Sequence, residues 1–484
     1  MKVIVVFDDT GKKSEVISDI IGDKGFADVV VKKRRLEEYY RDELKKEYPG
    51  LTWHKLHSAF EFSDLSEELE HTASSDTRVL HCFSDFLISD GDKARLSFKK
   101  LPYADTPYAM YTGKKAVAAM FPDIEYYLRF LREVCDGKKP RDILREYKDF
   151  CEIEGLVDIG KIGNFIQCVT GNFDSRYFNS LKGNEYTLVK SSADKKKIKA
   201  EYQFYHLLPE DMKFWFVMPF DYKESEKEAS YTMERLHMTD LAIKWVHGSM
   251  DEAEFEELMD KYFYFFSHRH EKKCSKEECR KISDELYVRK VRDRLERLKG
   301  LKEYKKIESL LSSTGTSSVD DLADKYFSLK EKIEKKCTYP EKLVIGHGDP
   351  CFANTLYNKS TKTLKFIDPR GALSEEELWT NPYYDIAKLS HSVCGRYDFF
   401  NNALFDIRIN EHFAPELELP FDNTPYMEIF KRKLSESSFD YLSVRIYEAS
   451  LFLSMLPLHM DNPLKVLGFI LNVKQLLEDI EKNV

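Results

Sequence analysis

The sequence predicts an α+β chain in which a separate α/β region precedes a strand-rich segment and then a long helical one. Three observations carry this reading. Short apolar runs alternate with amphipathic, charge-rich stretches over residues 1–157. Closely spaced strand patterns punctuated by Gly-Asn pairs occupy 158–240. From 241 to 484 the apolar residues recur at helical spacing. The length, 484 residues, is about three domain lengths at roughly 150 residues each.

In chain order, Val3–Phe7, Val29–Val31, Val79–Phe83 and Ala116–Phe121 read as buried strands of the first region. Phe130 and Leu131 close a helix that Asp136-Gly137 breaks, and strand–helix alternation of this kind builds a layered sheet. Strands are next expected at Phe165–Val169, Arg176–Leu181 and Tyr186–Lys190, with turns at Gly171-Asn172 and Gly183-Asn184. A helix follows over Asp194–Leu208, stopped by Pro209, and two more strands over Phe214–Pro219 and Ser230–Leu236. Phe255, Leu258, Met259, Tyr262 and Phe266 then fall on one helix face. The last sixty residues read as helices interrupted at Pro457 and Pro463.

Charge and apolar patterning exclude several classes of function. The 75 Lys and Arg against 84 Asp and Glu leave a net charge of −9, which lacks the basic footprint of a nucleic-acid binder or of polybasic attachment to anionic lipid. The run Val3–Phe7 is stopped by Asp8-Asp9 and is too short for a signal peptide. A cytoplasmic protein without membrane insertion is expected. Nine cysteines, odd in number and scattered, read as reduced thiols rather than a disulfide framework. His268, His270, Cys274 and Cys279 do not have zinc-site spacing and read as an exposed helix end. The interleaved charges of Arg289–Lys299 read as a solvated helix face.

The chemistry concentrates in Val344-Ile345-Gly346-His347-Gly348-Asp349-Pro350-Cys351-Phe352-Ala353-Asn354, followed by Leu364-Lys365-Phe366-Ile367-Asp368-Pro369-Arg370-Gly371. Phosphoryl transfer needs a carboxylate at the attacking hydroxyl, oxygen ligands for Mg²⁺ and cations on the phosphates. Asn354 follows Asp349 by five residues, and Asp368 ends the next strand-like run. A loop and a hairpin would therefore bring three hard oxygen donors together.

This stretch resembles the catalytic loop of the aminoglycoside phosphotransferase and choline kinase superfamily, and Tyr383-Tyr384-Asp385-Ile386-Ala387 resembles a second segment of it. The resemblance covers about 158–484 and implies a two-lobed protein-kinase-like fold. Residues 158–240 would be the nucleotide lobe and 241–484 the helical lobe. It implies ATP and Mg²⁺ as cofactors, Asp349 as catalytic base, Asn354 and Asp368 as metal ligands, and His347 and Asp385 as structural anchors. Lys190 would hold the phosphates with Glu201 as its partner, Gly171, Asn172 and Ser175 would cap them, and Met233, Glu234 and Leu236 would lie at the adenine hinge. The capping loop lacks the Gly-x-Gly-x-x-Gly pattern of protein kinases.

Arg370, His459 and Asp461 are candidates for contacting a small-molecule acceptor alcohol. The wider wording, Ile367–Gly371 and Asp385–Ser392, is similar to a bacterial subgroup associated with capsule or cell-envelope polysaccharide synthesis. That points to a sugar, amino alcohol or polyol as acceptor. The 1–157 region could be a degenerate nucleotidyltransferase-like domain, with Asp8-Asp9 and Asp85 as carboxylates after strands. Two other readings are a bifunctional kinase and nucleotidyltransferase, which turnover of CTP or UTP would reveal, and a non-catalytic nucleotide-binding scaffold.

Overall fold

Val3 to Phe7 lie in a strand, β1 (Lys2–Asp8), whose residues after Lys2 are all buried. The protein is seen here as a computed structural model that describes residues 2–31, 33–70, 77–169, 180–183, 186–236, 238–337 and 340–484. β1 pairs in parallel with β2 (Thr52–Leu56) and with β3 (Thr77–Phe83). The sheet continues antiparallel through β5 (Lys115–Phe121) to β4 (Tyr108–Thr112), which pairs in parallel with β6 (Phe150–Glu152). The strand order is β2-β1-β3-β5-β4-β6. Helices α1 (Glu61–Glu70) and α2 (Ile124–Cys135) bury Phe62, Leu65, Tyr127 and Leu131 against Ile4, Val6 and Val79 of the sheet.

The chain divides into two compact units, Met1–Asp174 and Ser175–Val484. Phe165–Val169, expected as a strand, forms none and belongs to helix α3 (Ile162–Val169). Phe165 and Cys168 are both buried. Three residues apart, they share one face of a helix, whereas a strand would send them to opposite faces. Phe165 meets Phe26 of the first unit edge-on, with ring centroids 6.4 Å apart.

The second unit opens with an antiparallel sheet of β7 (Ser180–Gly183), β8 (Thr187–Ser192), β9 (Pro219–Glu224) and β10 (Ala229–Glu234), in the order β7-β8-β10-β9. Gly183 pairs with Leu188 across the expected hairpin. The expected turn at Gly171-Asn172, Ser175, and the start of the strand at Arg176 lie outside the described residues. Helix α4 (Lys195–Leu207) begins where the Asp194 carboxylate accepts the Lys197 N–H at 3.1 Å, a side-chain cap. Its Ile198 packs on Ala229, Tyr231 and Met233.

The strand expected from Phe214 starts only at Pro219. The backbone ahead of it is engaged elsewhere: Phe366 N–H donates to Trp215 O at 2.7 Å, and Val217 N–H to Phe366 O at 3.3 Å. Phe366 ends β13 (Thr363–Phe366), which pairs with β12 (Thr355–Asn358). β11 (Lys342–Ile345) leads into the motif-bearing loop ahead of β12.

Around these short strands stand α5 (Glu252–Ser267), α6 (Lys290–Lys299), α7 (Tyr384–Val393), α8 (Tyr441–Met455) and α9 (Pro463–Asn483). The expected face of α5 is buried, and α6 buries Val291, Leu295 and Leu298. Pro463 is the first residue of α9, where a missing N–H costs nothing. Among the described residues, no helix is long and apolar enough to cross a membrane.

The reduced-thiol expectation fails at one place. Cys274 and Cys279 are disulfide-bonded. Cys274 follows the strand Glu271–Lys273 and Cys279 lies near the start of the helix Lys276–Asp284, with their Cα atoms 6.4 Å apart, within disulfide reach. His270 faces the Asp211 carboxylate at 2.9 Å and His268 stacks on Tyr264, so these four side chains do not converge.

The place of α3 gives a stability prediction. In a fragment comprising 1–174, Phe165→Ala should lower the free energy of unfolding in urea by about 3–5 kcal/mol, the cost of truncating a buried Phe. An unchanged midpoint would return this segment to the second unit.

Candidate active site

The loop between β11 and β12 is organised from beneath by Asp385, in the first turn of α7. The Asp385 carboxylate is fully buried. It accepts the His347 N–H at 2.9 Å, the Gly348 N–H at 2.8 Å and the Arg269 guanidinium at 3.1 Å. Arg269 is itself buried and also donates to Phe266 O and Pro382 O. A buried carboxylate survives only with such partners.

His347 fixes the next level. Its Nδ1 accepts the Asp349 N–H at 3.0 Å, so the proton sits on Nε2, which donates to Ile367 O at 2.9 Å. Burial depresses its pKa despite the nearby Asp385 and Asp349, and the ring is neutral. It therefore ties the Asp349 turn to the strand end that carries Asp368. Asn354 adds a further tie, its amide nitrogen donating to Asp349 O at 2.9 Å. That leaves the Asn354 carbonyl oxygen as the donor atom it can offer a metal.

Asp349 keeps 40% of its side-chain surface accessible, and its Oδ1 lies 3.0 Å from Lys388 Nζ. Desolvation pushes its pKa upward, but Lys388 outweighs that push and holds it below the usual carboxylate value. Lys388 is correspondingly raised above the ordinary lysine range: burial opposes its charge, and Asp349 and Tyr384 overcome it. Lys290 reaches the Tyr384 hydroxyl at 3.0 Å. The Arg370 backbone N–H donates to His347 O at 2.9 Å, which brings Arg370 against the same loop.

On the other side of the site, Lys190 Nζ bridges Glu201 Oε2 at 2.7 Å and Asp368 Oδ1 at 2.9 Å. Burial works against the charge on Lys190, but Asp368 and Glu201 prevail and raise its pKa. Tyr231 donates to Glu201 at 3.2 Å. Asp368 has a left-handed backbone, φ 56°, a conformation that Asp tolerates better than most residues. Gly371, φ 88°, follows it, and a Cβ there would stand 2.7 Å from the Ala200 carbonyl carbon. Only glycine lets this loop lie on α4, where Ala372 N–H donates to Ala200 O at 3.0 Å.

Glu201, Tyr231, Met233, Phe216, Phe366 and Asp368 line a narrow cleft. Its walls are largely apolar, its Asp368 end is acidic, and Lys190 lies against Glu201 and Asp368. Asp368 and the Asn354 carbonyl are hard oxygen donors of the kind Mg²⁺ takes, so the residues present fit that ion.

The structure thus brings together Lys190, Glu201, Met233 and Asp368 in one cleft, and His347, Asp349, Asn354, Asp385 and Arg370 around one loop. Glu234 is exposed and Leu236 half-buried beyond Met233. Gly171, Asn172 and Ser175 lie outside the described residues. His459 packs edge-on against Phe469 with ring centroids 5.4 Å apart, and Asp461 is exposed on the turn after it. Sequence reasoning missed Arg269, Lys290 and Lys388 as site residues. For Lys388 a signal existed: it stands three residues after Asp385 on one helix, and so on the same face. Arg269 and Lys290 carry no local pattern that marks them.

No protein-family model matches the chain, and no curated protein matches it. Solved structures of aminoglycoside phosphotransferase APH(4)-Ia do match. A thermostable mutant in its apo form is 12% identical with a TM-score of 0.34, over 63% of this chain and 94% of that one. A thermostable mutant in ternary complex with AMP-PNP and hygromycin B is 11% identical with a TM-score of 0.35, over 66% and 96%. A further structure of APH(4)-Ia is 12% identical with a TM-score of 0.34, over 66% and 96%. A likeness at this level carries no weight by itself, and the functional reading rests on the geometry of the site.

The buried Arg269–Asp385 pair yields a prediction. Asp385→Ala strands the guanidinium in the core and frees two loop N–H groups. Stability of the protein in urea should fall by about 3–5 kcal/mol. A change below about 1 kcal/mol would deny Asp385 its anchoring part.

Proposed function

We propose that the second unit is an ATP- and Mg²⁺-dependent phosphotransferase acting on a hydroxyl of a small molecule. The observation that carries this reading is the convergence of two separately spaced sets. The Lys190–Glu201–Asp368 ion bridge lies at one side, and Asp349, tied through the His347 ring to Ile367 beside Asp368, lies at the other. A phosphate-holding lysine, a metal-ligand carboxylate and a proton acceptor are the parts such a reaction needs.

The mechanism follows from these positions. Lys190 holds phosphate oxygens by charge, and Glu201 keeps its ammonium in place. Asp368 and Asn354 would hold Mg²⁺, which when bound neutralises charge on the phosphates. Asp349 orients the acceptor hydroxyl and takes its proton as the oxygen attacks. Lys388 keeps that carboxylate ionised and ready to accept. His347 holds the Asp349 backbone against the strand end carrying Asp368, so base and phosphate site keep a fixed spacing.

The acceptor class is a sugar, amino alcohol or polyol, and a role in capsule or cell-envelope polysaccharide synthesis rests on the sequence resemblance alone. Arg370 is the acceptor candidate that geometry favours, because it lies against the Asp349 loop. A joined nucleotidyltransferase activity finds less support. Asp85 gives both of its oxygens to cations, Oδ1 to Arg141 and Oδ2 to Lys115 at 2.9 Å, which leaves neither for a metal. An ATP-consumption screen against choline, ethanolamine, glycerol, ribitol and common sugars tests the proposal. No turnover with any alcohol, together with normal ATP binding, would favour the scaffold reading.

With an acceptor in hand, Asp349→Asn should cut kcat on the order of 10²-fold or more and leave ATP affinity nearly unchanged in a nucleotide titration. Asp368→Ala should abolish turnover through loss of the metal carboxylate.

The Lys388 contact gives a pH prediction. The Asp349 pKa is held down by Lys388 against burial, so Lys388→Met removes the opposing charge and the pKa must rise. The acid limb of the kcat–pH profile should then move to higher pH, while the alkaline limb stays in place. A profile that only scales down would make Lys388 a binding residue.

A further inference from the structure

We propose that the first unit binds a divalent transition-metal ion, of the Mn²⁺ or Zn²⁺ class, through Asp9, Asp28 and His57. One ligand atom from each of these residues lies within 4.8 Å of the others. Among the described residues this is the one group of His, Cys, Asp or Glu side chains so placed.

The position is beyond the carboxyl ends of the adjacent parallel strands β1 and β2. The chain leaves β1 for β2 on one side and then crosses to β3 on the other, so the strand order reverses at β1. Ligands of open α/β sheets lie beyond the carboxyl ends of the strands; the crevice itself falls between β1 and β3, and the Asp9–Asp28–His57 group is its neighbour on the β2 side. Asp9 directly follows β1 and His57 directly follows β2. Asp28 comes from the short 3₁₀ turn Phe26–Asp28.

Asp9 is the observation that asks for a ligand. Its side chain is 1% exposed. Oδ1 is fixed by the Ala27 N–H at 3.0 Å and the Ser84 hydroxyl at 2.6 Å. Oδ2 is buried and has no hydrogen-bond partner among the described residues. It faces His57 Nδ1 across 3.9 Å, too far for a hydrogen bond and close to the separation of two ligands on one ion. A buried carboxylate oxygen left bare is costly, yet the fold keeps room for it. Gly25 stands where any Cβ would fall 1.8 Å from that oxygen.

The surroundings orient the other two ligands. Lys55 holds Asp28 Oδ1 at 3.0 Å and divides its charge with Glu37 at 3.1 Å. Arg35 lies 3.9 Å from the same Asp28 oxygen. The His57 loop is held by its backbone N–H to Glu61 at 2.9 Å. His57 is half-exposed, which leaves an entry path and room for water to complete the coordination. Such fixed supporting contacts are what metal ligands need. Two carboxylates with one imidazole favour a first-row transition ion over Mg²⁺ or Ca²⁺, which prefer all-oxygen sets. The inference is independent of the phosphotransferase reading, because none of these residues belongs to that site.

The test is equilibrium dialysis of the full chain against micromolar Mn²⁺ in excess Mg²⁺, with free Mn²⁺ read by its paramagnetic resonance. One equivalent of bound Mn²⁺ is expected, weakened on the order of 10- to 100-fold in His57→Gln and in Asp28→Asn and unchanged in Asp85→Asn. His57 and Asp28 are accessible enough for their variants to fold, which circular dichroism will verify. The inference is overturned if the native chain retains no stoichiometric Mn²⁺. It is equally overturned if both variants bind as the native chain does, or if Asp85→Asn loses as much as His57→Gln.

Discussion

A carboxylate taken wholly out of water must be surrounded by donors, and around Asp385 that requirement shapes the site. Its two oxygens collect the His347 and Gly348 N–H groups and the buried Arg269 guanidinium. The loop therefore has one geometry in which its backbone donors are satisfied. From there the order passes outward: His347 is oriented by its own backbone, Asp349 by His347, and Ile367, next to Asp368, by the other ring nitrogen. A single buried ion pair sets the spacing between Asp349 and Asp368. A core of aliphatic side chains could supply equal stability but not that directional chain.

The Lys190 bridge works under a different constraint. One ammonium lies between two carboxylates, so each depends on it for charge balance. The Glu201 pKa is raised, because burial and the nearby Asp368 outweigh Lys190. The Gly371 contact with Ala200 holds the Asp368 loop on the helix that carries Glu201. Helix, strand and loop are thus locked around one cation.

Legibility from sequence followed how local each signal was. The His347–Asp349–Asn354 spacing and the Asp368 strand end were readable because their chemistry sits in one contiguous stretch. The apolar face of α5 was readable because it repeats at helical spacing. Phe165–Val169 misled because a short apolar run fits strand and helix equally, and packing against Phe26 decided for the helix. Phe214–Val217 misled for a related reason: its backbone pairs with Phe366, distant in sequence. Arg269 and Lys290 reach the site only through tertiary packing, so nothing in their neighbourhoods announces them. The Cys274–Cys279 bond was hidden by the odd, scattered cysteine count.

The pairing of residues 215–217 with Phe366 also has a mechanical consequence. Those bonds rivet the segment entering β9 to the strand that ends beside Asp368. The four-stranded sheet is therefore clamped at its β9 edge, while β7 forms the opposite edge. The two ends of the sheet are therefore unequal: one is tied by backbone bonds to a strand distant in sequence, the other ends in β7.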